Sequence, residues 1–214
     1  MRCIPVRERQ QGGKNMSKSS AMKKNLNIAQ LGVLSALIIV MTFVPYIGYI
    51  SYGALSITLL HIPVIIGACV LGAKGGATLG AVWGITCIIK AVMAPPSPLE
   101  GIIFRNPLIA LIPRVLAGFL AGLVFELLAK KIKSKHVGAI LSAITTCLCN
   151  TILVMGGIYL IYGESQLGIS QITFGGLTNY ILAAFTVNAV IEVAVGIIIA
   201  VPVSHALRKI KIKI

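Results

Sequence analysis

The chain has 214 residues, of which 57% are hydrophobic and only 11% are charged, and its formal net charge is +14. A soluble globular domain carries roughly 25% charged residues, so this composition excludes that class and predicts a protein that crosses a membrane several times. The positive charges lie in short clusters between apolar segments, which is typical of membrane topology and argues against a nucleic-acid partner.

The N-terminal segment, residues 1–23, is polar and basic and predicts a disordered cytoplasmic tail. Its first part, residues 1–15, has no apolar stretch of the kind found in a signal peptide and is set apart as not necessarily native. The rest, residues 24–210, predicts one transmembrane domain. The five cysteines of the whole chain include no C-x-x-C pair, so they predict small core residues and neither a disulfide framework nor a metal site.

Six apolar segments are long enough to predict membrane helices, and glycine and proline clusters separate them. The predicted fold is therefore an all-α membrane protein, a compact bundle of six transmembrane helices. Their predicted ranges are 26–46, 55–72, 75–93, 107–129, 138–162 and 180–205.

The basic residues predict the orientation of this bundle. If the six helices alternate in direction, 16 of the 19 Lys and Arg residues fall on one side of the membrane. Loops with an excess of Lys and Arg face the cytoplasm, so both termini are predicted to be cytoplasmic. Three cations remain inside or beside the apolar segments, namely Lys90, Arg105 and Arg114.

Helix arithmetic predicts a polar layer in the outer half of the membrane. At about 1.5 Å per residue, polar groups from five helices lie about 18–24 Å above the cytoplasmic end, and Trp83 lies at about 12 Å. Glu192 is expected nearer the inner half. The side chains of the outer layer are Arg114, Lys90, Asn150, Asn188 and His61.

Arg114 is the strongest candidate for a binding residue in this layer, because it lies on a face of small residues and has no acidic residue within one turn. A buried cation without a partner suggests a pocket whose anion arrives from outside. Purely structural roles remain open for the others. Lys90 and Arg105 could reach the lipid headgroups, and His61 could form a hydrogen bond to a backbone carbonyl freed by Pro63. The two Asn residues could form hydrogen bonds between helices, and Trp83 could pack in the core.

Two stretches resemble a known family. SITLLHIPVIIGACVLGAKGGATLGAVWGI at 56–85 and IPRVLAGFLAGLVFELLAKK at 112–131 are similar to the substrate-binding S component of energy-coupling factor (ECF) vitamin transporters. The resemblance implies a high-affinity vitamin binder in a prokaryotic cell membrane. It also implies partners, a transmembrane coupling protein (T component) and two ATPases that hold the ATP and Mg, with no cofactor in this chain.

The resemblance further implies a small-residue face on the first helix that meets the coupling protein, here Ala29, Gly32 and Ala36. The family's A-x-x-x-A pattern is altered in this chain, and small faces also serve ordinary helix packing. The sequence is most similar to the pantothenate branch. A carboxylate and hydroxyls would suit Arg114 and the two Asn residues, while pyridoxine, hydroxymethylpyrimidine, riboflavin and folate remain alternatives.

Other functional classes lack their motifs. No G-x-x-x-x-G-K-[ST] occurs, so ATP hydrolysis is expected only in partners, and neither H-E-x-x-H nor G-x-S-x-G occurs. His61, Glu126 and Glu192 are expected at different depths, which argues against an intramembrane enzyme. A stand-alone secondary carrier remains the second alternative, although residues 26–93 and 107–205 show no convincing repeat.

Overall fold

The structure is a computed structural model that describes residues 6–44, 47–52, 55–95, 98–131, 134–162 and 174–213. These residues form seven helices and one two-stranded hairpin. In chain order they are α1 (Val6–Phe43), β1 (Tyr49–Tyr52), β2 (Leu55–Thr58), α2 (His61–Met93), α3 (Pro98–Ile103), α4 (Pro107–Ala110), α5 (Ile112–Lys131), α6 (Lys135–Tyr162) and α7 (Phe174–Lys213).

Five helical segments in the described part of the chain are long and apolar enough to cross a membrane. They are Ala21–Phe43, His61–Met93, Pro107–Leu128, Lys135–Tyr162 and Ala189–Lys209. The second of these is by far the most buried, so α2 forms the centre of the bundle and the other helices pack around it.

The first helix differs from its prediction at its N-terminal end. Helical backbone continues upstream to Val6, through most of the segment for which the sequence predicts a disordered tail. Lys, Arg, Gln and Met recur in this stretch, and all of them are good helix formers.

The second predicted helix begins later than expected. Residues 55–58 form β2, which pairs antiparallel with β1, and helix α2 begins only at His61. Pro63 explains this start, because proline fits the first turn of a helix but would remove a hydrogen bond further inside it. The prediction of helix across 55–60 is therefore wrong.

Helix α2 contains a reversal at Gly72, whose φ of 80° is non-helical and favours glycine. The two arms, residues 61–71 and 73–93, pack against each other after this turn. Gly67 lies against Leu79, and Ala68 lies against Gly76, although a straight helix would hold the second pair about 12 Å apart. Glu126 of α5 accepts a hydrogen bond from the Ala73 amide at 3.1 Å, so its carboxylate caps the start of the second arm.

Candidate functional site

Close contact between α2 and α5 sets the position of Arg114. A Cβ placed on Gly76 would overlap the backbone of Gly118, and one placed on Gly80 would overlap the carbonyl of Arg114. Glycines at every fourth position of α2 therefore allow the two backbones to touch, as small residues do in membrane helix pairs. The small-residue face predicted around Arg114 is confirmed, because Ala117 is among its fully buried members.

The guanidinium of Arg114 is buried, with only 5% of the residue exposed. Its Nη1 donates a hydrogen bond to the Ile109 carbonyl at 2.5 Å, and its Nε has no hydrogen-bond partner within the described residues. Two aromatic rings flank it, with Cζ 5.3 Å from the Trp83 centroid and 4.8 Å from the Phe104 centroid. Both distances allow cation–π attraction, so the protein holds the cation in place and leaves part of its hydrogen-bonding edge unused.

Two other predicted residues present unused polar atoms in the interior. Trp83 is 1% exposed and its Nε1 has no hydrogen-bond partner among the described residues. The same holds for Oδ1 of Asn150, which is also buried. Val154, one turn beyond Asn150 on the same face of α6, packs with Ile109, so this face of α6 is directed at the segment that holds Arg114.

Lys90 lies away from Arg114 and has its own contacts. Its Nζ donates to the Thr42 carbonyl at 2.6 Å and lies 4.1 Å from the centroid of the Tyr49 ring. The prediction that Lys90 and Arg114 share one depth is wrong. Gly80 faces Arg114, so Lys90 lies ten residues, about 15 Å, further along the same arm. The estimate fails because the Gly72 turn is level with Gly122, well above the inner end of α5.

A small open pocket lies beside Lys90. Its empty space, which includes the open mouth, is about 200 Å³, and it is lined by Tyr49, Cys87, Lys90, Ala91, Glu100 and Phe104. Phe104 is common to this pocket and to the surroundings of Arg114. Sequence reasoning named neither Phe104 nor Glu100 as a site candidate, yet Glu100 is buried. Its position as the sole acidic residue between Glu8 and Glu126 was the available signal.

His61 belongs to a second polar cluster with Glu192 and Cys147, all three buried, whose ligand atoms lie within 4.8 Å of one another. His61 Nε2 is 2.9 Å from the Glu192 carbonyl oxygen, and the Thr58 amide donates to Glu192 Oε1 at 3.1 Å. The different depths predicted for His61 and Glu192 are therefore wrong, because α2 begins at His61 and not at residue 55.

Histidine, cysteine and glutamate side chains can all bind metal ions such as Zn²⁺. His61 and Glu192 are, however, already engaged in hydrogen bonds within the protein. The geometry supports a latch that fixes β2 against α7.

The remaining candidates lie elsewhere. Arg105 is exposed, and the side chain of Asn188 lies outside the described residues. Ala29, Gly32 and Ala36 are all exposed on α1, and a Cβ on Gly32 would meet no atom within 4 Å. The structure thus brings together Arg114 and Trp83, directs Asn150 toward the same region, and leaves Arg105 and the α1 face outside it.

Comparisons with known proteins identify the family of this chain. The family model described as "ECF transporter, substrate-specific component" matches residues 26–204. The chain is similar to the pantothenic acid transporter PanT of Lactococcus lactis subsp. cremoris, with 31% identity covering 91% of this chain and 97% of that protein. It is also similar to the pantothenate transporter PanT of Leuconostoc mesenteroides, with 28% identity covering 80% of this chain and 87% of that protein. The chain therefore belongs to the family of ECF transporter substrate-specific components.

Proposed function

We propose that this protein is the S component of an ECF importer and captures pantothenate from outside the cell. The buried Arg114 carries the proposal, because its Nε has no hydrogen-bond partner among the described residues and is available to an anion. The similarity to two pantothenate transporters supports the choice of vitamin.

The chemistry of pantothenate suits the polar atoms of this interior. An Arg fork binds a carboxylate through charge-assisted hydrogen bonds, which are stronger than neutral ones. Hydroxyl groups and an amide can bond to the unused Asn150 Oδ1 and Trp83 Nε1. A cationic vitamin would be repelled by Arg114, whereas pyridoxine, hydroxymethylpyrimidine, riboflavin and folate remain the alternatives to be tested.

The proposed topology has six passes with both termini in the cytoplasm of a prokaryotic cell. The reversal at Gly72 supports six passes, because it divides α2 into two arms that run in opposite directions. The second arm, residues 73–93, reaches about 31 Å, while the first, residues 61–71, reaches only about 16 Å. The β1–β2 hairpin would complete the shorter pass. The distribution of Lys and Arg supports the orientation.

In the proposed cycle, the loaded protein docks through α1 on a T component, and two partner ATPases drive the transfer of the vitamin. ATP and Mg are assigned to those partners, and no catalysis is assigned to this chain. The exposure of Ala29, Gly32 and Ala36 supports this docking face, since a partner helix could approach the backbone there.

One pair of variants tests the docking face. Gly32 and Gly156 are both exposed, and a Cβ on either would meet no atom within 4 Å. Gly32→Leu should therefore preserve folding and pantothenate binding but stop uptake of radiolabelled pantothenate into cells. The matched control Gly156→Leu should preserve both. Equal uptake by the two variants would show that the docking face is not on α1.

The vitamin itself is tested by mass spectrometry of the small molecule that copurifies with the full chain in detergent. Pantothenate is the expected result, and a different vitamin would overturn the substrate assignment while leaving the S-component proposal in place.

Uptake in cells without the partner ATPases tests the rival carrier. Loss of uptake is expected, and persistent uptake would favour a stand-alone carrier.

A further inference from the structure

A basic cavity lies where α6 begins and α7 ends, away from the proposed vitamin site. It is open to solvent, and its empty space, which includes the open mouth, is about 360 Å³. The lining residues that matter here are Phe125, Lys135, His136, His205, Arg208 and Lys209. Lys135 is 15 residues from Asn150 along α6, so the two sites are separated by about 22 Å.

The side chains of this cavity are organised around its opening. The imidazole rings of His136 and His205 stack with their centroids 4.6 Å apart and their planes 22° from parallel. Cζ of Arg208 lies 4.4 Å from the centroid of the Phe125 ring, which holds the guanidinium against α5. Nη1 of Arg208 is buried and has no hydrogen-bond partner within the described residues.

The charges of the cavity are all of one sign. Three cationic residues and two imidazoles line it, and no acidic residue is among its lining residues in the part of the chain that the structure describes. An anion with several acceptor oxygens would relieve this repulsion and give Arg208 the acceptor that its buried nitrogen lacks. Phosphate oxygens meet both requirements.

We propose that this cavity binds the phosphate of an anionic phospholipid headgroup. Lys135 is the first residue of one candidate membrane span and Lys209 is the last residue of another, so the cavity lies at the end of the apolar helices, where headgroups are found. Basic pockets between membrane helices are known to hold such headgroups. The proposal is independent of which vitamin the protein carries.

Native mass spectrometry of the full chain in detergent tests this proposal. The probes are phosphatidylglycerol and phosphatidylcholine with identical acyl chains, with inorganic phosphate as a soluble competitor. The variant is Arg208→Gln. The control is Lys74→Gln, which removes one charge from an exposed residue outside the cavity.

The wild-type chain and Lys74→Gln should retain phosphatidylglycerol in preference to phosphatidylcholine. Arg208→Gln should weaken phosphatidylglycerol binding by about tenfold, the loss expected for one charge-assisted hydrogen bond. The double variant Lys135→Gln/Lys209→Gln, which leaves the Arg208–Phe125 contact intact, should show a similar loss if Arg208→Gln misfolds. Unchanged pantothenate binding reports that each variant is folded.

Three results would overturn the proposal. Equal retention of the two lipids would show that the cavity does not select an anionic headgroup, since both lipids carry a phosphate. Equal binding of phosphatidylglycerol by folded Arg208→Gln and Lys74→Gln would remove the phosphate site. Displacement of phosphatidylglycerol by millimolar inorganic phosphate would assign the cavity to a soluble phosphate compound and not to a lipid. None of these results bears on the vitamin site, because pantothenate binding is measured separately.

Discussion

Replacing Arg114 by glutamine should remove most of the pantothenate affinity of the protein. The Nη1 donor is already committed to Ile109, whereas Nε has no partner among the described residues and remains for a carboxylate. A hydrogen bond to a charged group is worth about 1.5–3 kcal/mol. The dissociation constant should therefore rise by about 10–100-fold.

The assay is a comparison of two ligands on two proteins by isothermal titration calorimetry. Pantothenol has an alcohol in place of the pantothenate carboxylate and is otherwise the same molecule. The wild-type protein should bind pantothenate far more tightly than pantothenol, and Arg114→Gln should bind the two almost equally. Measuring both ligands on both proteins makes a double-mutant cycle, which isolates the contact between the guanidinium and the carboxylate from other effects of the substitution.

The matched control is Arg105→Gln, because Arg105 carries the same charge nearby but is exposed. It should change the affinity by less than about threefold, since exposed ion pairs contribute little. Size-exclusion profiles should show that both variants are folded. If folded Arg114→Gln still preferred pantothenate over pantothenol as strongly as the wild-type protein does, the proposed role of the guanidinium would be wrong.

Three further outcomes are expected. The single tryptophan, Trp83, lies beside Arg114, so its fluorescence should change when pantothenate binds, and a signal unaltered by saturating ligand would count against this pocket. Gly80→Val should lower the temperature at which the detergent-solubilised protein aggregates, because its side chain would meet the backbone of α5; equal thermal stability to wild type would contradict the contact. Glu192→Ala should weaken pantothenate binding by releasing β2, whereas Glu192→Gln, whose amide oxygen can still accept from Thr58, should bind nearly as well as wild type. Equal losses in both Glu192 variants would argue against the latch.

Sequence patterns were sufficient for the class of the protein and for its most informative residue. Long apolar segments with few charges predict membrane helices, because a helix satisfies each backbone polar group within the segment. A cation within such a segment is costly in lipid, so the interior position of Arg114 could be predicted and is confirmed. The small residues beside it indicated close helix packing for the same physical reason.

The relative heights of the helices could not be predicted, and they decide which polar groups meet. Arithmetic along one helix assumes that all helices start at the same level. The contact of Gly80 with Arg114 and the position of the Gly72 turn contradict that assumption. Lys90 was consequently placed too close to Arg114, and His61 too far from Glu192.

Only the tertiary structure could decide these contacts, because they depend on where two backbones can touch. That point is set by glycines on separate helices, Gly76 of α2 and Gly118 of α5, and the spacing within either helix leaves their pairing open. Phe104 belongs beside Arg114 for the same reason, since a short helix and a bend bring it there. The sequence thus determined which groups must avoid lipid, and packing determined which of them share a pocket.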